Sequence, residues 1–253
     1  MPIPFLSWVP RAVRWLWRLR QPLRLSKRGA ACLLRGELDA AEQHLKRALA
    51  LHEQIGFTFG QAAVLENLGS VYFMRGELDK AEEHYNKALP MFEETHDRKR
   101  HAYTLGYLGA LCYNRGDLDK AEEHHNKALD MCQKGGFKLA QAMQLALLGQ
   151  VYAHRGELDR AEEHYNRALA ICQRSPDRSG DAKACEAWTV DRLGLLAARR
   201  AQPEAARELL ERARTLYEQM GAHGTAPAAV AAELRWLAAF TPRPDSHDSD
   251  AKP

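Results

Sequence analysis

Four histidines stand at a fixed interval, His44, His84, His124 and His164, each 40 residues after the last. An imidazole binds metals and carries protons, so an even file of them invites a metal-ladder reading. Distance argues against it. A ligating nitrogen sits about 2 Å from zinc, whereas neighbouring helices pack about 8–10 Å apart. The spacing follows from duplication and predicts a solvated outer face, with His125 on another side of the same helix. The cysteines, Cys32, Cys112, Cys132, Cys172 and Cys185, form no C-x-x-C pair. Cys132 and Cys172 are one interval apart and Cys32 and Cys112 two, which marks packing positions. They read as small buried apolar residues of a chain kept in a reducing, cytoplasmic compartment. No G-x-x-x-x-G-K-[ST], G-x-G-x-x-G, H-E-x-x-H or G-x-S-x-G occurs. Carboxylate pairs such as Glu82-Glu83 are accounted for by helix starts and helix ion pairs. The expectation is a chain that is not an enzyme and uses no metal and no cofactor.

The elements behind this spacing are repeated. Arg35-Gly-Glu-Leu-Asp recurs at Arg75, at Arg115 (with Asp117 for Glu) and at Arg155, and a worn copy starts at Arg200. A fixed period of this size means stacked two-helix units. The last interval is five residues longer, which places an insertion near residues 175–180. In each unit Leu65, Leu68, Gly69 and Tyr72 mark one face of a first helix. Gly76 ends it with a positive φ. Asp79 with Glu82 reads as a capping box opening a second helix, as do Asp39/Glu42, Asp119/Glu122 and Asp159/Glu162. That helix buries Ala81, Tyr85, Ala88 and Leu89. Its outer face carries the (i, i+4) pairs Glu83–Lys87, Glu123–Lys127 and Glu163–Arg167. Gly69 facing Ala81 lets the two backbones approach, as do Gly29/Ala41, Gly109/Ala121, Gly149/Ala161 and Gly194/Ala206.

The pattern Leu68-Gly-x-x-Tyr72 followed by Ala81-x-x-x-Tyr85-x-x-Ala88 resembles the tetratricopeptide repeat, over about residues 25 to 220. The family's early Trp is replaced by Leu25, Leu65, Leu105, Leu145 and Val190. Its closing Pro is replaced by Glu53, Glu93, Gln133, Gln173 and Glu218, which lets the second helix run on. This is similar to the long-repeat subclass of kinesin light chains and polarity adaptors. The resemblance implies an all-α, right-handed α-solenoid of about five helix-turn-helix repeats that binds other proteins. Its segments are residues 1–24, a basic Trp-rich start; 25–225, five repeats; 226–240, a capping helix; and 241–253, a disordered tail.

In that family partners lie along the concave face lined by first helices. The matching positions here are Glu66, Asn67, Ser70, Phe73 and Met74 in repeat two. Tyr103, Tyr107, Ala110, Tyr113 and Asn114 match in repeat three, Met143, Leu147, Gln150 and His154 in repeat four, and Trp188, Asp191 and Arg192 in repeat five. The Lys/Asn carboxylate clamp of chaperone-binding members would fall at Gly106 and Ala110, so it is absent. An aromatic, weakly charged groove suits an apolar or amphipathic peptide.

The ends differ from the middle. The total charge is +3, and the first 36 residues hold eight Arg and Lys and no acid, which leaves −5 for the rest. Trp8, Trp15 and Trp17 share a wide apolar arc with other large residues, and Arg11, Arg14 and Arg18 fall opposite. The segment is too short and charged to span a bilayer. Nor is it a secretory signal, since no basic residue precedes its apolar run and Pro10-Arg11 interrupts it. It is a cap on the first repeat, a membrane-surface helix, a targeting peptide, or sequence ahead of the natural start. The acidic body argues against nucleic acid. A soluble adaptor is therefore the first expectation. A scaffold held at a membrane surface, with possible self-association through its repeats, is the alternative.

Overall fold

The computed structural model of the chain describes residues 11–174 and 180–221, with side chains from Arg20 onward. The described residues form ten α-helices and no strand. In order they are α1 (Arg11–Leu34), α2 (Leu38–Gln54), α3 (Thr58–Met74), α4 (Leu78–Glu94) and α5 (Arg98–Asn114). Then follow α6 (Leu118–Gly135), α7 (Lys138–Arg155), α8 (Leu158–Arg174), α9 (Gly180–Arg199) and α10 (Pro203–Gln219). The chain divides into two compact units between Met131 and Cys132, inside α6. In the first, α1 packs on α2, α2 on α3, α3 on α4 and α4 on α5. In the second, α7 packs on α8, α8 on α9 and α9 on α10, with α7 also touching α9. The expected capping helix and tail, residues 226–253, lie outside the described residues, as does most of the insertion.

Two turns alternate along the chain, and both need a left-handed residue. Between first and second helices Gly36, Gly76, Gly116 and Gly156 take φ of 76°, 77°, 81° and 83°. Between a second helix and the next first helix the place is held by Gly56, Gly136 and, at φ 56°, His96. In the worn copy Ala201 stands at φ 55°. Both side chains tolerate a conformation that costs a β-carbon about 1–2 kcal/mol. At the start, residue 24 is not an element boundary. Helix α1 runs through it with Pro22 inside, and Ser26 Oγ donates to the Pro22 carbonyl at 2.9 Å.

The capping-box expectation is overturned. The residues that precede α2 and α4 are Glu37 and Glu77, and neither caps through its side chain. Asp39 and Asp79 lie inside the first turn, after the capping position. They are bound instead by the arginine of the following repeat. Arg75 donates to Asp39 and Glu42, Arg115 to Asp79 and Glu82, and Arg200 to Asp159 and Glu162. The recurring Arg and Asp thus form a clamp from the end of one repeat's first helix to the start of the previous repeat's second. Glu42 also accepts from Tyr72 Oη at 2.7 Å. The Lys46 ammonium first, then the Tyr72 hydroxyl and the Arg75 guanidinium, hold the Glu42 carboxyl at about 2. True caps are made by aspartates: Asp97, where α3 and α7 have Phe57 and Phe137, accepts from Arg100 N at 3.0 Å, and Asp117, which stands in place of Glu37 and Glu77, accepts from Lys120 N at 3.3 Å. The shorter side chain reaches the third amide.

Each helix pair is locked by a glycine against one bulky side chain. A β-carbon on Gly69 would lie 2.5 Å from the Tyr85 ring, and on Gly149 2.8 Å from Tyr165. The same slot is filled by Leu45 opposite Gly29, His125 opposite Gly109 and Leu210 opposite Gly194. The glycine therefore makes room chiefly for this side chain, and Ala41, Ala81, Ala121, Ala161 and Ala206 pack fully buried beside it. The expected helix pairs form on the outer face, Lys87–Glu83 at 2.6 Å and Lys127–Glu123 at 2.5 Å.

Candidate functional site

His44, His84, His124 and His164 are half-buried rather than fully solvated. His84 packs on the Tyr72 ring at 5.0 Å and its Nδ1 meets the Lys80 carbonyl at 2.8 Å. His164 repeats this with Tyr152 at 4.8 Å and the Arg160 carbonyl at 2.8 Å. His84 and His164 thus pack on tyrosines, and no group of three metal-ligating side chains converges among the described residues. His125 is not idle on the surface: it is 1% exposed and occupies the slot that Tyr85 fills one repeat earlier. All five cysteines are buried and unbridged. Burial pushes the Cys132 thiol up to about 11.

The predicted lining residues sort into three groups. Asn67, Tyr103 and Tyr107 meet in one cleft of the first unit, about 370 Å³, whose floor is Glu66. Arg100, Lys99 and Asp97 complete it at the start of α5. Glu66 is only 6% exposed. Its carboxylate accepts from Arg100 Nη1 at 2.5 Å and from Thr104 Oγ1 at 3.3 Å, tying α3 to α5. Burial raises the Glu66 carboxyl, and Arg100 and Thr104 pull it back. Tyr107 stacks on Tyr85 with centroids 5.5 Å apart and keeps 38% of its surface exposed. Burial of its hydroxyl raises it to about 12, so it stays a donor at neutral pH.

A second group packs more than it presents. Ser70 accepts from or donates to Tyr85 Oη at 3.2 Å, and Phe73 lies against the core of the first unit. Tyr113 and Leu147 are half-buried, as is Gln150. In α9, Trp188 lies under the Arg192 guanidinium at 5.7 Å, and Arg192 is bound to buried Asp191 at 2.6 Å. The third group is exposed: Met74 at 55%, Met143 at 37%, and His154 and Asn114, whose amide caps its own helix at the Ala110 carbonyl.

This order of glycine-locked helix pairs, joined by left-handed turns, is matched by the model of the MalT-like TPR region over residues 11–175. The chain belongs to the tetratricopeptide-repeat family. A second tetratricopeptide-repeat model matches residues 139–219. No curated protein matches the chain. Among solved structures, BtubC (BKLC) from P. vanneervenii is 21% identical over 86% of this chain and 93% of that one, with a TM-score of 0.63. The TPR-like repeats of a kinesin light chain from Podosopora anserina are 16% identical, covering 81% and 99%, at 0.58. NprR in complex with its cognate peptide NprX is 16% identical, covering 88% of this chain and 61% of that one, at 0.66.

The tetratricopeptide pattern led to Glu66, Asn67, Tyr103 and Tyr107 but missed Lys99 and Arg100. The signal for them was present: Arg98-Lys99-Arg100-His101 is a basic run opening a first helix, where the other copies have Thr58-Phe59 and Lys138-Leu139. At the other end of the chain, Trp8 lies outside the described residues, and so do the side chains of Arg11, Arg14, Trp15, Trp17 and Arg18. Among the described residues no helix is long and apolar enough to cross a membrane.

Proposed function

We propose that the chain is a cytoplasmic adaptor that holds a peptide or short helix of a partner protein on the face carried by first helices, at Asn67, Met74, Tyr103 and Tyr107 of the first unit; Met143, His154 and Trp188 are the matching candidates within the second unit. The observation that carries this reading is the cleft between α3 and α5, where two tyrosine rings stay accessible above a buried, ion-paired Glu66. A carboxylate is costly to bury unless it is paired, and here its pairing sets a guanidinium into a surface recess. Rigid aromatics beside fixed polar groups are what peptide recognition uses. The NprR–NprX complex supports the reading, since a peptide is its bound partner. Nothing in the arrangement sets a nucleophile beside a base, so binding accounts for it better than catalysis.

The test is affinity capture of partners on the intact chain, followed by calorimetric titration of the recovered partner. Tyr107→Ala should weaken binding by about 1–2 kcal/mol, as for a contact near a hot spot. Glu123→Ala, on the outer face with Lys127 as its neighbour, should change it by less than about 0.5 kcal/mol. The reverse ranking would place the partner on the outer face and defeat the proposal.

A further inference from the structure

The cleft also indicates what it selects. Arg100 carries five N–H donors. One is given to Glu66, and the others find no acceptor among the described residues although the side chain is 38% exposed. The guanidinium is held in place, 5.8 Å from the Phe59 ring and 5.9 Å from Phe92. Lys99 has no carboxylate partner among the described residues, and its ammonium sits 5.9 Å over the Tyr103 ring. The cleft's own carboxylates are already committed, Glu66 to Arg100 and Thr104, Asp97 to the Arg100 amide. What remains unmatched is one ammonium beside an oriented guanidinium fork, at the positive end of α5.

Resting on the adaptor reading above, we infer that this cleft is a carboxylate subsite: it takes the side chain of an Asp or Glu in the partner peptide, between Lys99 and Arg100, with the peptide running over Tyr103 and Tyr107. The charge balance favours a monoanion. Lys99 and Arg100 against Glu66 and Asp97 sum to zero, and Arg98 alongside adds one positive charge. A carboxylate neutralises that charge, whereas a phosphate dianion would sit uncompensated near Glu66. A guanidinium already fixed by a buried partner loses little freedom on binding and presents its fork to a planar carboxylate. These are not the clamp positions of the chaperone-binding members, which fall here at Gly106 and Ala110.

A random peptide library panned against the full chain supplies the probe, and the recovered peptides are synthesised and titrated by calorimetry. The recovered sequences should share an Asp or Glu. Changing that residue to its amide should weaken binding at least tenfold. Arg100→Gln and Lys99→Gln should each give a comparable loss with the acidic peptide and little change with the amide peptide. Lys99→Gln alters an exposed side chain, and the peptide substitution leaves the protein untouched, so a folding defect in Arg100→Gln does not decide the matter. Recovered peptides with no shared acid, or affinities indifferent to both substitutions, overturn the subsite while leaving the adaptor reading intact. A phosphoserine peptide that binds tenfold tighter than its glutamate counterpart overturns the monoanion assignment. Recovery of no peptide at all defeats both readings.

Discussion

At the scale of single residues, equivalent slots accept different chemistry as long as volume is kept. His52, Phe92, Cys132, Cys172 and Tyr217 occupy one recurring position and are all buried. His52 is the costly choice. It is fully buried, its Nε2 lies 3.2 Å from Ser26 Oγ, its Nδ1 has no partner, and burial lowers its pKa from 6.5. Above 6.5 it is neutral folded and unfolded alike. Below that value the unfolded chain takes up the proton first, so stability falls with pH until the folded ring titrates. That loss has a limiting slope of about 1.4 kcal/mol per pH unit. Urea midpoints between pH 8 and 5 should fall less for His52→Phe than for the parent, and parallel curves would refute this. The glycine slot is stricter. Gly69→Ala drives a β-carbon into the Tyr85 ring and should cost about 1–3 kcal/mol. A urea midpoint unchanged from the parent's would show that the ring can move aside.

At the scale of elements, the recurring Arg and Asp tie one repeat to the previous one. The Asp79-to-Glu82 spacing looked like a cap because both motifs need acids at a helix start; only the position of the neighbouring Arg115 separates them. The clamps are unequal. Glu42 is 18% exposed and also accepts from Tyr72, while Glu82 is 39% exposed. Arg75→Ala should therefore cost about 1 kcal/mol or more and Arg115→Ala less, since exposed pairs contribute about 0–1 kcal/mol. Equal losses, or losses insensitive to 1 M salt, would contradict the clamp. The turns are likewise unequal. Ala201 keeps a left-handed φ of 55° that Gly holds in the other copies. Ala201→Gly should raise stability by about 0.5–1 kcal/mol; destabilisation would mean that the turn is relaxed with Ala.

At the scale of the whole molecule, the described cores are made of small residues interleaved with a few large ones, and the five thiols lie inside them. Reaction with a thiol reagent should be slow in the native chain and should accelerate with urea in step with the loss of helix. Stoichiometric fast labelling without urea would mean that the packing is looser than described. The sequence by itself determined the helix pairs, their 40-residue period, the Gly36-type turns and the family, because these depend on contacts within one repeat and on backbone geometry written into residue type. It also marked Tyr103 and Tyr107, which the repeat pattern places on the first helix. Only the tertiary structure decided which acids cap and which pair, that His125 is core, and that Arg100 is oriented by Glu66 across two repeats. Those outcomes depend on which side chains meet between helices: the clamps join residues 33 to 41 apart in the chain, Arg100 reaches Glu66 34 residues back, and His125 fills the space over Gly109. Residue type and spacing along one helix carry no record of that meeting.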